Sequence, residues 1–549
     1  MFPVFCPFLA PFKGSVARST NFWCMTIFCL RNTTHRSHSN SDSTGLLYAE
    51  AMSLPTIWVF GDQLNRGIGA LATATPLTHR VLFIESAAKI SSQKWHIQRA
   101  HFIVASMRKF AHELRSAGFQ VDYRMVKSMG QGIEEHVREF APSEIVATEP
   151  NSYASRLLAH DLGVRTVSSN QFLCHPSEYQ GFLGARKSIK MEDFYRWQRK
   201  RLNVLMDGSE PTGDRWNFDD ENRQPPPKTG HDRWPVPALY ELDEVDEQVL
   251  AAVQSHCFGK LPVGQWATTR EGALERLQFF IERVLPVFGE HEDAMLKSNW
   301  HLAHSLLSPY LNNGLLLPRE VVESAQSAFR EGKVPLNSAE GFIRQIIGWR
   351  EYIWNCYWQW MPDYAHMNAL GADVKLPPMF TNPSKTSMAC MKSVLDGVNE
   401  RSYSHHIERL MVLGNFALIA GVNPQQLTRW MWNSYIDAAE WVMVPNVIGM
   451  SQYADGGMLA TKPYASGGAY IDRMSDHCKG CVYDRKKRTG DDACPFTVLY
   501  WDFFLRHQER FVKNPRVARQ VRAAQQLQDR DELQVVAVSM MKKLNKGAL

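Results

Sequence analysis

Leu54-Pro-Thr-Ile-Trp-Val-Phe60 is the stretch from which the fold of the first half of the chain follows. This short apolar run ends in Gly61-Asp-Gln-Leu64, and an apolar run of that length that stops at a turn is typical of a buried strand. The turn lacks the GxGxxG spacing of a dinucleotide-binding loop, so an ordinary dinucleotide site is not indicated.

Similar runs recur downstream and alternate with amphipathic stretches such as Ala100 to Ser116. Strands that alternate with helices predict a parallel sheet covered by helices, and we expect a Rossmann-like α/β domain over residues 52–185. The further predicted strands are Arg80 to Glu85, Gln120 to Met125, Glu144 to Thr148 and Val164 to Val167.

The second half of the chain has a different periodicity. From residue 245 onward, apolar residues recur with helical spacing, which predicts an all-α domain over residues 245–549 whose last helix runs from Ala518 to Lys546. Residues 186–244 turn polar and rich in proline, and we interpret them as the interdomain linker. Two domains suit this length, because single cores stop growing near roughly 250–300 residues.

Residues 1–51 differ from the rest, since no acidic residue precedes Asp42. An organellar transit peptide has this composition, and so does sequence upstream of a start codon assigned too early, in which case Met52 is the true start. No later stretch is apolar for long enough to span a membrane. We therefore expect a soluble monomer in the cytoplasm, or in an organelle if the leader is genuine. The net charge of +5 is compatible with a polyanionic partner but does not identify one.

Cys478-Lys-Gly-Cys481, followed after twelve residues by Cys494-Pro495, is the strongest metal signal. Two cysteines at this spacing bind one ion or one corner of a cluster, and a cysteine before proline in a loop is typical of iron–sulfur ligation. A fourth ligand has to come from Cys390 or Cys356 in a cluster, or from a histidine such as His477 in a zinc site. Buried cysteines without any metal are the third interpretation.

His405 and His406 begin a helical stretch in which Arg409 shares a face with His406. Paired imidazoles suit proton transfer near neutral pH, although two surface histidines capping a helix look the same. Asp437 is a carboxylate that can pair with Arg409, and an aspartate there also suits a helix cap. The run Ser305 to Gly314 offers hydroxyls and backbone N–H groups at a helix start, which suits a pyrophosphate, and Ser-Pro is also a common structural start.

Tryptophans surround Gly348-Trp-Arg-Glu-Tyr352 and can wall a pocket for a flat cofactor or a flipped base. Aromatic residues at helical spacing more often belong to a core. The residues concerned are Trp349, Trp354, Trp358 and Trp360.

In their order along the chain, these motifs resemble those with which photolyases and cryptochromes build their FAD site: Ser305-x-x-Ser-Pro-Tyr310, Trp349-Arg-Glu351, His406-x-x-Arg409 and Asp437. More narrowly, the chain is similar, from about residue 53 to residue 545, to the bacterial (6-4) photolyases that carry a four-iron cluster. The stretches that carry this similarity are Gly61–Leu64, Trp216–Pro225, Gly341–Tyr352, Pro445–Gln452, Ala454–Gly457 and Thr461–Tyr464.

The resemblance implies the photolyase fold, with an α/β antenna domain followed by a helical FAD-binding catalytic domain. It implies a U-shaped FAD, a 6,7-dimethyl-8-ribityllumazine antenna and a [4Fe-4S] cluster. The implied cluster ligands are Cys390, which stands in a Met-x-Cys segment as in the family, Cys478, Cys481 and Cys494. The implied FAD-binding residues are Ser305, Leu306, Leu307, Ser308, Gln345, Arg350, Arg409, Asp437 and Asn446.

The implied activity is a DNA photolyase reaction, in which reduced FAD excited by light passes an electron to a (6-4) photoproduct flipped out of UV-damaged DNA. His406 would donate a proton to the lesion, and His405 would tune or relay it. Tyr464 and Tyr470 would line the lesion entrance. The basic loop Arg485-Lys-Lys-Arg488 either contacts phosphate or is a solvated turn.

The chain departs from its relatives at several positions. Trp430 is retained from the path that reduces FAD, but Asn382 stands near a usual tryptophan and Met431 replaces a frequent tyrosine. Lys89 reverses the charge of an acidic residue in the antenna domain, which bears on the lumazine pocket, and Leu410 stands where animal (6-4) enzymes add a histidine.

Three other functions suit parts of this pattern. A cryptochrome-like blue-light photoreceptor would have the same fold and FAD. A cyclobutane pyrimidine dimer photolyase would need the electron but no comparable proton donor, so the histidine pair favours the (6-4) lesion. A zinc-containing DNA-binding module would be colourless.

Overall fold

Five parallel strands form the sheet of the N-terminal half, in the order β3-β2-β1-β4-β5. The structure is a computed structural model that describes residues 53–186 and 189–549, so the predictions for residues 1–51 lie outside the described residues. The strands are β1 (Thr56–Trp58), β2 (Arg80–Ser86), β3 (Gln120–Val126), β4 (Ile145–Thr148) and β5 (Arg165–Val167). All five predicted strands are confirmed to within two residues.

Helices cover both faces of this sheet, as its parallel pairing requires. Side chains that alternate along the strands enter two separate cores: Trp58 and Leu82 face one layer, whereas Ile57 and Phe83 face the other. The helices of this half are α1 (Ala87–Ser91), α2 (Ile97–Ser116), α3 (Met129–Phe140), α4 (Tyr153–Asp161) and α5 (Pro176–Leu183).

In the remainder of the described chain, the regular elements are helices, apart from a short hairpin of β6 (Met206–Asp207) and β7 (Glu210–Pro211). Its first helices are α6 (Met191–Leu202), α7 (Asp219–Asn222), α8 (Glu244–Val253), α9 (Arg270–Phe279), α10 (Ser308–Asn313), α11 (Pro318–Arg330), α12 (Leu336–Ile343) and α13 (Glu351–Trp360). Those that follow are α14 (Ala389–Arg401), α15 (Asn415–Ala420), α16 (Pro424–Ser434), α17 (Glu440–Pro445), α18 (Gly468–Met474), α19 (Pro495–Arg506), α20 (Gln508–Phe511), α21 (Ala518–Gln525) and α22 (Arg530–Asn545).

The sheet and the helical half share one apolar core. Ile57 and Phe83 from the sheet belong to the same buried cluster as Tyr310 and Phe342 from the helical half. Helix α8 packs against α2, where buried Asp246 accepts from His101 at 3.0 Å and from Lys109 at 2.7 Å. The two halves therefore hold each other in a fixed orientation, which is needed for a site built from both.

The stretch 186–244, interpreted from its composition as a linker, contains ordered elements that pack on the helical half. The Tyr195 hydroxyl of α6 donates to Glu340 at 2.7 Å, and Trp234 is fully buried. Asn222 of α7 donates to the Asn337 carbonyl at 2.9 Å. A Cβ added to Gly341 would lie 2.7 Å from the Asn222 amide, so a glycine is needed at this close approach.

The last predicted helix is interrupted. Helix α21 ends at Gln525 and α22 begins at Arg530, where the sequence pattern predicts one helix through Lys546. Asp529 precedes α22 but does not cap it; its carboxylate instead accepts from Arg488 at 2.9 Å. This long-range ion pair fixes the break and is invisible to helical periodicity.

Among the described residues, no helix has both the length and the apolar composition needed to cross a membrane.

Candidate functional site

The predicted ion pair between Arg409 and Asp437 is present and joins three segments of the helical half. Arg409 Nη1 lies 2.9 Å from Asp437 Oδ1, and the Ser308 hydroxyl donates to Asp437 Oδ2 at 2.7 Å. Arg409 Nε donates to the Ser404 carbonyl at 2.7 Å. Burial lowers the pKa of Arg409, but Asp437 and the neighbouring Tyr435 outweigh it and raise the pKa above its ordinary value. The guanidinium therefore stays charged.

The segment from Ser305 to Ser308 precedes α10 and faces this pair. Leu306 has a left-handed backbone with φ of 56°, and the Ser305 hydroxyl accepts from the Leu307 N–H at 3.3 Å. The side chains of Leu306 and Leu307 are buried, so these two residues can offer only backbone groups to a ligand. Ser308 is already engaged with Asp437.

Three π-helical segments carry the other predicted FAD-binding residues. Arg344–Arg350 contains Gln345 and Arg350, Glu408–Gly414 contains Arg409, and Asn446–Ser451 begins with Asn446. These four residues keep a small exposed fraction, whereas most of their neighbours in the helices are fully buried. Single π turns within helices are frequent at functional sites, so this backbone feature marks the same place as the sequence motifs.

The Trp349-Arg-Glu motif also ties the two halves together. Glu351 accepts from the backbone N–H groups of Leu173 and Cys174 at 2.7 and 2.8 Å, and from Arg350 at 2.9 Å. Burial raises the pKa of Glu351 to about 7, although Arg350 and the two N–H groups oppose that rise. The motif thus has a structural role that the sequence did not indicate.

The two adjacent histidines lie in different environments. His405 is buried and stacks on His304, with ring centroids 4.3 Å apart and an angle of 15° between the planes. His406, by contrast, is exposed to solvent. Desolvation, followed by the charge of Arg409, lowers the pKa of His406 to about 4.

Glu408 is a buried carboxyl group beside this pair that sequence reasoning missed. Its Oε1 lies 3.7 Å from His405 Nε2, which is too long for a hydrogen bond, and its Oε2 accepts from the His405 N–H at 3.3 Å. Burial raises the pKa of Glu408 to about 7, opposed by that N–H group and by Arg401 and Arg409. Its position next to two histidines in the sequence was the only signal available.

The two tyrosines predicted to line the lesion entrance lie near charged side chains. Tyr464 and Tyr470 are half-buried, and Tyr470 lies near Asp293. Arg344 pairs with Asp219 of the Trp216–Pro225 motif at 2.6 Å.

The four cysteines expected to bind a cluster line one cavity, together with His477. Cys390 lies near the start of α14, and Cys494 directly precedes α19. Cys356 lies elsewhere, in the core beside Tyr179, whose hydroxyl is 4.0 Å from its sulfur. The prediction of Cys390 over Cys356 is therefore favoured by position.

Among the described residues, no group of three or more His, Cys, Asp or Glu side chains is arranged so that it could hold a metal ion. The iron–sulfur cluster and the zinc site therefore both stay predictions.

The basic loop is largely neutralised within the protein. Arg485 pairs with Asp472 at 2.6 Å, Lys487 with Asp492 at 2.6 Å, and Arg488 with Asp529 at 2.9 Å. These contacts favour the interpretation of the loop as a structural turn over a phosphate contact.

The retained tryptophan has few aromatic neighbours. Trp430 Nε1 donates to the Phe380 carbonyl at 2.8 Å, and its ring lies 4.9 Å from Phe380 and 6.0 Å from Tyr435. Asn382 is exposed and caps the turn that follows it, and Met431 is buried. Neither of these last two residues can replace an aromatic ring.

Comparisons with known proteins show which proteins this chain is similar to. The family model described as deoxyribodipyrimidine photo-lyase-related protein matches residues 57–266. A (6-4) photolyase from Agrobacterium fabrum is 41% identical over 507 residues, which cover 89% of this chain and 99% of that protein.

Two solved structures share the fold at lower identity. A bacterial class III photolyase from Agrobacterium tumefaciens matches with a TM-score of 0.55 and 16% identity, over 91% of this chain and 100% of that one. A cryptochrome from Synechocystis sp. PCC6803 matches with a TM-score of 0.53 and 14% identity, over 76% of this chain and 84% of that one.

Proposed function

The chain belongs to the photolyase and cryptochrome superfamily, in the family of the Agrobacterium fabrum (6-4) photolyase, and we propose that it repairs (6-4) pyrimidine photoproducts in DNA under blue or near-ultraviolet light. The observation that carries this proposal is the 41% identity over almost the whole length of a (6-4) photolyase. The solvent-accessible His406 beside the Arg409–Asp437 pair supports it, because this lesion needs a proton donor as well as an electron.

FAD fits the half-buried polar residues between the helices. Reduced and excited by light, FAD supplies the electron that starts repair. Arg409 and Asp437 would hold the isoalloxazine by charge and hydrogen bonding, with Asn446 as a further contact. Ser305 and the backbone N–H groups of Leu306, Leu307 and Ser308 would hold the pyrophosphate, with Gln345 and Arg350 as further contacts.

The lesion has to leave the base stack to reach this cavity. Tyr464 and Tyr470, half-buried beside the entrance, provide aromatic surface for a flipped base. His406, which is exposed to solvent, would hold or give a proton at the lesion. His405, stacked on His304 behind it, orients this wall of the site.

Cys390, Cys478, Cys481 and Cys494 line one cavity and would hold a [4Fe-4S] cluster there. Such a cluster accepts and donates single electrons when bound. In this chain its ligands tie the start of α14 to the loop before α19, which is a structural role.

A lumazine antenna would occupy the crevice outside the carboxyl ends of the parallel strands, the usual ligand position in an open α/β sheet. Asp62 and Asn151 lie there, with Asn151 Nδ2 3.2 Å from Asp62 Oδ2. Burial raises the pKa of Asp62 to about 6, although Asn151 and the nearby Lys89 oppose that rise. Extraction of the chromophores from purified protein tests this part of the proposal.

The experiment that tests the function uses the purified, reduced holoprotein and an oligonucleotide with one (6-4) photoproduct. Illumination should restore the two pyrimidines, and the dark control should not. Normal flavin photoreduction without repair would favour the cryptochrome-like photoreceptor. Repair of a cyclobutane dimer but not of the (6-4) product would favour the other photolyase activity.

A further inference from the structure

Three tryptophans form a continuous line of rings in the helical half. The Trp441 and Trp354 ring centroids are 5.6 Å apart at 87°, and those of Trp354 and Trp358 are 5.3 Å apart at 80°. Phe172 stacks on Trp354 at 3.6 Å and 6°, which holds the middle ring in place. Trp354 and Trp358 belong to the aromatic group that the sequence suggested as a pocket wall, and the structure places them in this line instead.

The inner end of the line lies beside the proposed FAD site. Trp441 is fully buried on α17, between Asp437 and Asn446 in the sequence. The guanidinium of Arg350 lies 5.2 Å from the Trp441 ring centroid and 4.2 Å from that of Phe172. Trp441 is therefore the ring of this line that is nearest to the proposed cofactor contacts along the chain.

The outer end approaches solvent. Trp358 is half-buried at the end of α13, whereas Trp354 and Trp441 are inaccessible. The guanidinium of Arg156 lies 3.4 Å from the Trp358 ring centroid, and Glu149 lies 3.8 Å from Arg156. A cation at this position makes the ring harder to oxidise, and the nearby carboxylate partly offsets that effect.

We propose that Trp441, Trp354 and Trp358 form an electron path that reduces FAD under light, in place of the interrupted path through Trp430. Indole rings in contact exchange electrons readily because the rate falls steeply with the distance between ring edges. Trp430 has Phe380 on one side, whose phenyl ring is much harder to oxidise, and Tyr435 at 6.0 Å on the other, and Asn382 and Met431 supply no further ring. This proposal rests on the FAD site of the proposed function, but not on its lesion specificity.

The electrons balance with a thiol as the external reductant. In each single-electron transfer, Trp441 gives one electron to the excited cofactor. Trp354 then reduces oxidised Trp441, and Trp358 reduces oxidised Trp354. A thiolate in solution returns the electron to Trp358. Two such electron transfers and the uptake of one proton convert oxidised FAD into its reduced anion. The two oxidised thiolates combine as one disulfide.

The test follows photoreduction of the oxidised, FAD-loaded protein with dithiothreitol and without oxygen. Trp354→Phe and Trp358→Phe should each slow the loss of blue flavin absorbance by about tenfold or more. Trp430→Phe is the matched control and should retain most of the wild-type rate. The opposite pattern, with Trp430→Phe inactive and both other variants unaffected, overturns the proposal.

Two further measurements distinguish a slow electron path from a variant that fails to fold. FAD content and melting temperature identify folding failures, and Trp358→Phe changes a half-buried residue if Trp354→Phe does not fold. Mass spectrometry of the wild-type protein illuminated without thiol should find oxidation at Trp358. Oxidation at Trp430 and none at Trp358 contradicts the path.

Arg156→Gln gives a change in the opposite direction. It removes the cation above Trp358, and photoreduction should become faster; a slower or unchanged rate is evidence against Trp358 as the outer end.

Repair by chemically reduced Trp354→Phe should equal that of the wild type. Loss of repair in every variant and in the wild type would overturn the proposed function but not the path, whereas a protein that takes up no flavin overturns both.

Discussion

The imidazole rings of His304 and His405 lie nearly parallel, with centroids 4.3 Å apart. Both nitrogens of His405 and Nε2 of His304 are buried without a hydrogen-bond partner among the described residues. Burial, followed by neighbouring positive charge, lowers the pKa of His304 to about 3 and that of His405 well below its ordinary value. This stacked pair is neutral and buried, whereas His406 is exposed to solvent.

His406→Ala should therefore abolish repair while it leaves the cofactor in place. General acid catalysis contributes about 10²–10⁴-fold, so the quantum yield of (6-4) repair should fall by at least about 100-fold. FAD content and photoreduction should be unchanged. His160→Ala, on an exposed side chain of α4, is the control, and full repair by His406→Ala would remove the proton-donor assignment.

Glu408→Gln should change how the stability of the protein depends on pH. Burial raises the pKa of Glu408 from 4.5 to about 7, so between these values the folded protein binds a proton that the unfolded chain releases. The wild type should lose roughly 3 kcal/mol of stability as the pH rises through this range, with the loss complete above the folded pKa.

The glutamine variant stays neutral and should not show this loss. Melting temperatures at pH 5 and pH 8 measure the effect: the variant should gain on the wild type at the higher pH. Glu323→Gln, on the exposed face of α11, should follow the wild type. A Glu408→Gln variant with the same pH dependence as the wild type would show that this carboxyl does not titrate near neutrality.

The sequence predicted the structural elements and residue pairs that are marked by a short run or motif in the chain itself. The five strands follow from short apolar runs, and the Arg409–Asp437 pair and the cysteine set follow from motifs. The His304–His405 stack joins residues a hundred positions apart, and the tryptophan line depends on how α13 and α17 pack. The ion pairs of Arg485–Arg488 and the break before α22 come from through-space contacts that periodicity cannot contain.

Asp437→Ala should destabilise the helical half and empty the FAD site. It leaves the buried guanidinium of Arg409 without its carboxylate at 2.9 Å and frees the Ser308 hydroxyl. Removal of one partner from a buried ion pair costs about 3–5 kcal/mol. Thermal unfolding and FAD content measure the two effects, and Asp161→Ala at an exposed position is the control. Unchanged melting and full FAD content would show that this pair contributes little.

Cys390→Ser and Cys356→Ser should separate the cluster ligand from a buried core cysteine. Cys390 lines the cavity of Cys478, Cys481 and Cys494, whereas Cys356 lies beside Tyr179. We expect Cys390→Ser to lose most of its iron and acid-labile sulfide and to melt at a lower temperature, because the ligands tie α14 to the loop before α19. Cys356→Ser should keep the iron of the wild type, since its small side chain only fills space between aromatic residues. A chelator with a reductant should lower the melting temperature of the wild type and of Cys356→Ser alike. Iron retained by Cys390→Ser and lost by Cys356→Ser would reverse the assignment, and one zinc per chain without iron would replace the cluster by a single-ion site.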